Sequence, residues 1–68
     1  MRTRLRVKEV AESKNFNMSS LSRASNISFN TIKRLWTHPY EGAKIDTLLK
    51  IARVLDVQVT ELIEELED

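Results

Sequence analysis

Residues 16–35 read FNMSSLSRASNISFNTIKRL. Two short helices fit this stretch, with a turn of about three residues between them. Asn17 can cap the first, over residues 18–25, by accepting a hydrogen bond from a free backbone N–H. Serine is a middling helix former, so a helix carrying Ser19, Ser20, Ser22 and Ser25 has to be held by packing, with Leu21 and Ala24 as its expected buried face. Asn26 stands where that helix should end, and asparagine tolerates the left-handed conformation that ends one. Ser28 can cap the second helix, over residues 29–36. Along it Ile32, Leu35 and Trp36 share one stripe, with Phe29 at the edge, while Asn30, Lys33, Arg34 and Thr37 share the other. Every side chain on that second stripe can donate a hydrogen bond, two are cationic, and none is acidic.

A short helix, a tight turn and a second helix of about two turns make a helix-turn-helix arrangement. In it the first helix braces steeply across the second, so small residues such as Ser22, Ala24 and Ser25 let the backbones approach. Ile27 and Ile32 would fill the space between the helices, leaving the polar stripe free to project.

Working outward, Leu5, Val7, Val10 and Ala11 suit a first helix ending near Lys14. Its start has two readings, because Arg2, Arg4 and Arg6 alternate with Thr3, Leu5 and Val7, and residues 1–5 could instead be a basic extended arm. Asn15-Phe16-Asn17 reads as a turn, and residues 37–43, with His38-Pro39 and Gly42, as a loop. Ile45, Leu48, Leu49, Ile51, Ala52, Val54 and Leu55 predict a helix over 45–55, the most buried of the set. A last, acidic helix is expected from Val59 to Leu66 within residues 59–68, with Gln58 and Glu61 spaced as a capping box. The alternation Val57-Gln58-Val59 is the rival reading there, a short strand. The expectation is one all-α domain over residues 1–68, a compact bundle of five short helices.

The stretch from Phe16 to Leu35, through Leu21, Asn26-Ile27-Ser28, Thr31-Ile32 and Arg34-Leu35, resembles the Cro/lambda-repressor-like family of helix-turn-helix domains, also called the xenobiotic-response-element family. The run IDTLLKIARVLDVQVTELI at 45–63 is similar to that family's fourth and fifth helices. The resemblance spans residues 5–66. It implies five helices and binding to double-stranded DNA with the third helix in the major groove. Carried over by position, base contacts fall on Phe29, Asn30, Thr31 and Arg34. Backbone contacts fall on Met18, Ser19, Ser28, Lys33, Thr37, His38 and Tyr40. The chain departs from the family's pattern in having Asn26 for the usual turn glycine, Met18 for a polar residue, Trp36 for a polar or acidic one, and a loop about one residue longer that contains Pro39.

The residue types at those positions suit base edges. Arg34 can bond guanine O6 and N7 together, Asn30 can do the same with adenine N6 and N7, and Thr31 or Phe29 can meet a thymine methyl. Acids are missing because phosphates flank the groove. Arg2, Arg4 and Arg6 read equally as a DNA arm or as solubilising charge. Lys14 and Arg23 read as solvated, with phosphate contact as the sharper alternative. Trp36 is expected in the core, whereas Phe29 lies between the two stripes.

Charge placement agrees. All eleven Lys and Arg lie in residues 1–53, against four acids there, a balance of +7, while residues 54–68 hold six acids and no base, a balance of −6. A basic body with an acidic tail suits nucleic-acid binding by one part of the chain. Sixty-eight residues form a single small domain whose core supplies about 3–5 kcal/mol, so a partner subunit would help. A homodimer is expected, with Val59, Leu62, Ile63 and Leu66 either pairing with a second copy or closing the monomer's core. There is no cysteine, signal peptide or membrane-length apolar run, which fits a soluble cytoplasmic protein with no membrane partner. The single histidine, His38, has no ligand set around it, so no metal or other cofactor is expected. No catalytic constellation or phosphate loop is present, so neither an enzyme nor a small-molecule binder is indicated. The expected function is a sequence-specific transcriptional regulator, a repressor by its lack of an activation domain. The alternative is a protein-interaction module, such as an antitoxin or phage accessory protein, acting through the acidic last helix.

Overall fold

The computed structural model describes residues 2–67. Strand β1 (Arg2–Leu5) leads into helices α1 (Val7–Ser13), α2 (Met18–Ser25), α3 (Phe29–Thr37) and α4 (Ile45–Leu55), then a 3-10 turn (Val59–Leu62) and strand β2 (Ile63–Leu66). The protein is mostly helical, with the helix-turn-helix at α2 and α3.

The expected caps form. Asn17 Oδ1 accepts from Ser20 N–H at 2.8 Å, and the Ser20 hydroxyl oxygen accepts from Asn17 N–H at 2.9 Å. Ser28 Oγ accepts from Thr31 N–H at 3.3 Å. Asn26 takes the left-handed conformation at φ 59°, and its N–H donates to the Ser22 carbonyl, which closes α2. The Ser22 hydroxyl donates to the Ile27 carbonyl at 2.6 Å, fixing the turn. The buried pair of α2 is Leu21 and Ser25, not Leu21 and Ala24, which is exposed. The i, i+4 spacing of residues 21 and 25 keeps both on the inward face of α2. Ser25 can be buried because its hydroxyl donates to the Leu21 carbonyl at 2.6 Å.

Every element but β2 places a buried residue in the core, and β2 packs Ile63 against it. Leu5 enters from β1, Val7 and Ala11 from α1, Leu21 from α2, Ile32 and Leu35 from α3, and Leu62 from the 3-10 turn. Four residues of α4 are buried, Leu48, Ile51, Ala52 and Leu55, more than in any other helix. Of its three other apolar residues Val54 is half-buried, while Ile45 is 62% and Leu49 40% exposed. Trp36 packs half-buried on the core, as do Ile27, Phe16 and Met18.

The two ends of the chain differ from the helical expectation. Residues 2–5 are not a free arm but a strand, antiparallel to β2, with Arg2 opposite Leu66, Arg4 opposite Glu64 and Leu5 opposite Ile63. The fifth helix is replaced by the 3-10 turn and β2, and the strand falls at 63–66 rather than at 57–59. Charge accounts for this. In a helix over 59–66, Glu61 would face Glu64 and Glu65, with no base within a turn and with acids crowded at the negative end of the dipole. As a strand, the same segment sets Glu64 against Arg4, whose Nη1 is 3.5 Å from its carboxylate. One part of the expected cap survives, since Glu61 Oε2 accepts from Gln58 N–H at 2.8 Å.

Arg4 also pairs with Glu9 of α1. Burial alone would raise the Glu9 carboxyl. The Arg4 hydrogen bond, helped by a backbone hydrogen bond and by the charges of Arg4 and Arg6, outweighs burial and holds it below its ordinary 4.5. A depressed folded-state value means that the unfolded chain takes up this proton first as pH falls. The contribution to stability is therefore full above the ordinary value and is lost as pH drops through the folded one. Glu9→Gln should accordingly show a smaller fall in urea midpoint than wild type between about pH 6 and pH 3. Superimposable pH profiles for the two proteins would remove this role for the pair.

Candidate nucleic-acid interface

Helix α3 buries Ile32 and Leu35 and leaves its polar stripe outward. Asn30, Lys33, Arg34, Thr37 and His38 border a single open concavity of about 300 Å3, together with Glu41 from the following loop. Asn30, Lys33 and Arg34 are exposed. Phe29, at the first position of the helix, is 43% exposed. Thr31 is half-buried, and its hydroxyl is 2.8 Å from that of Ser28, so both side chains are occupied at the cap. Thr37 donates its hydroxyl to the Lys33 carbonyl at 2.8 Å and lies 2.9 Å from His38 Nδ1.

Other expected positions lie outside this concavity. Met18 turns its side chain to the core, so of the two residues opening α2 only Ser19 is exposed. Tyr40 is 61% exposed, and the Arg2 guanidinium sits 6.0 Å from its ring centroid. Arg4 is held by Glu9 and Glu64, whereas Arg6 is exposed. Leu62 is fully buried in the monomer, and Val59 and Ile63 pack against the same core. Of its two readings, closing the core is the one Leu62 adopts.

Two residues were not foreseen. Arg34 Nη1 donates to the Gly42 carbonyl at 3.1 Å and lies 3.9 Å from Glu41 Oε1. No sequence rule covers contacts seven and eight residues apart across an irregular loop. Gly42 carried a partial signal as the only glycine, and its φ of +80° uses the freedom that glycine alone has without strain.

The arrangement is a short helix, capped by Ser28 and braced by α2 through a left-handed Asn26 turn, presenting donors and cations with Ile32 and Leu35 buried behind them. The sequence profile of the Cro/C1-type helix-turn-helix DNA-binding domain matches residues 6–67. The chain belongs to this family. A crystal structure of a candidate DNA-binding protein from Bacteroides fragilis is similar, with a TM-score of 0.78 and 31% identity, over 91% of this chain and 98% of that one. No curated protein matches the chain. A Cro/C1-type domain is a DNA-binding module. Among the described residues no helix is long and apolar enough to cross a membrane.

Proposed function

We propose that this Cro/C1-type domain is a sequence-specific regulator of transcription that lays α3 in the major groove and represses by occupying its operator, in the cytoplasm. The observation that carries the reading is the α3 stripe, where Asn30, Lys33 and Arg34 are exposed around one concavity while Ile32 and Leu35 lock the helix from behind. Arg34 and Asn30 read base edges, with Phe29 beside them for a thymine methyl. Thr31 reads with its methyl group, since its hydroxyl serves the cap. Lys33, Thr37 and His38 sit at phosphates, as do the backbone N–H groups that open α2 and α3 around Ser19 and Ser28. Tyr40, in the loop that follows α3, adds a further contact to the DNA backbone. Anisotropy titration of a labelled random duplex at about 50 and 200 mM salt tests the electrostatic part of the reading. The expected result is binding that weakens steeply with salt. Absence of binding at the lower salt would remove DNA as the partner.

The protein acts as a homodimer in this reading, matching two-fold operators whose half-sites lie one helical turn apart. The apolar surface offered to a second copy is on α4, where Ile45 and Leu49 project beside a shallow concavity lined by Asp46, Leu49, Lys50 and Arg53. These residues recur at helical spacing on one face. Crossing two copies of α4 antiparallel, with the dyad between Leu49 and Lys50, brings Asp46 of one copy against Arg53 of the other at both ends. Ile45 then meets the opposite concavity. The Asp46–Arg53 pairing repeats at both ends, as an isologous contact requires. Leu49→Glu should convert a dimer to a monomer in sedimentation velocity, with the helical circular dichroism unchanged. A wild-type chain that stays monomeric when fully bound to its selected site would contradict the dimer.

A further inference from the structure

We infer that Glu41 is a specificity-setting residue. With the Gly42 carbonyl it holds the Arg34 guanidinium in position to read guanine, and it lowers affinity for all DNA in doing so. The inference rests on the assignment of Arg34 to base reading.

Glu41 is the one acid among the residues that line the α3 concavity. A carboxylate facing phosphates is repelled by them, so its presence there calls for a function that offsets the repulsion. Its neighbour supplies one. Both contacts of Arg34 fall on Nη1, at 3.1 Å to the Gly42 carbonyl and 3.9 Å to Glu41 Oε1. A guanidinium carries five N–H donors in a rigid fork, so Nη2 and Nε keep three, and guanine O6 and N7 need two. The loop therefore engages one nitrogen of the fork and leaves the donors of the other two for a base.

The grip is itself anchored. The Pro39 carbonyl accepts from Leu5 N–H at 2.7 Å, which ties the loop to β1, and Glu41 N–H donates to the His38 carbonyl at 3.2 Å. Gly42 takes a positive φ, which it adopts without strain, where the loop brings its carbonyl to Arg34. Arg34 and Glu41 are both exposed in the free protein, where such a pair contributes little to stability. Docking on DNA excludes water from the groove, and the same pair then interacts more strongly. The contact is thus nearly silent in folding and active in recognition.

The test selects a randomised duplex library with wild type, Glu41→Gln, Arg34→Ala and the double variant, and measures each protein's affinity for the unselected library. Wild type should enrich a guanine that Arg34→Ala no longer prefers. Glu41→Gln should weaken preference at that same position by about fivefold, a coupling typical of contacting residues. It should also bind the unselected library more tightly, and it should have no further effect on preference when added to Arg34→Ala. Its melting temperature should match wild type. If Arg34→Ala abolishes the guanine preference and Glu41→Gln leaves it whole, the inference is overturned while the role of Arg34 stands. If Arg34→Ala changes no position, the assignment of Arg34 fails and the inference falls with it.

Discussion

Ile32→Ala should leave a large fraction of the chain unfolded at room temperature. Ile32 is fully buried, on the side of α3 that faces the core. Removing its branched side chain costs about 2–5 kcal/mol, the lost transfer energy plus the cavity left behind. A domain of this length has only about 3–5 kcal/mol in hand. The urea midpoint should therefore fall close to zero denaturant, with loss of the helical signal. Phe29→Ala, three residues earlier and 43% exposed, should by contrast shift stability by no more than about 0.5 kcal/mol, because it opens no cavity. Equal stability of the two variants would mean that α3 does not pack as described, and its outward stripe would then have no fixed orientation.

The second large effect concerns the two cations of α3, adjacent in sequence but different in role. Arg34→Ala should cost about 1–3 kcal/mol on the selected operator and should relax preference at one base pair. Lys33→Ala should weaken binding to every sequence alike and should reduce the salt slope by about one. The distinction follows from placement. Arg34 is held by the loop at one nitrogen of its guanidinium, and a directed fork can read O6 and N7 together. Lys33 makes no such contact, and its ammonium is a mobile point charge suited to phosphate. Equal losses for the two variants on every sequence would remove the assignment of Arg34 to base reading.

The centre of the chain was more legible than its ends. Caps at Asn17 and Ser28 and the left-handed Asn26 were readable because each depends on a residue type and its immediate neighbours. The inward Ile32 and Leu35 and the outward Asn30, Lys33 and Arg34 were readable because period 3.6 separates them. The sheet was not, since a strand of four residues gains its stability from a partner some sixty residues away, and only the alternation of residues 2–7 hinted at it. At the other end, Leu62, Ile63 and Leu66 fit a helical stripe as well as they fit a turn and a strand. The acids around them decided the matter, because a helix would crowd them together and the strand answers one with Arg4. Ala24 and Ser25 changed places because propensity favours burying alanine, whereas the phase of α2 set by Leu21 favours residue 25, where the hydroxyl finds a carbonyl. At the candidate site the side chains on α3 were foreseen, and the Glu41–Gly42 grip on Arg34 was not, since it forms through the path of a loop.

The central claim is that α3 reads base sequence. Its most direct test is selection from a randomised duplex library, followed by anisotropy titration of the winner and of random duplex at matched salt. The account predicts a winner bound at least about 10³-fold more tightly than random DNA, with a two-fold repeat and a steep salt slope. A library that emerges without enrichment, bound equally weakly throughout, would contradict it.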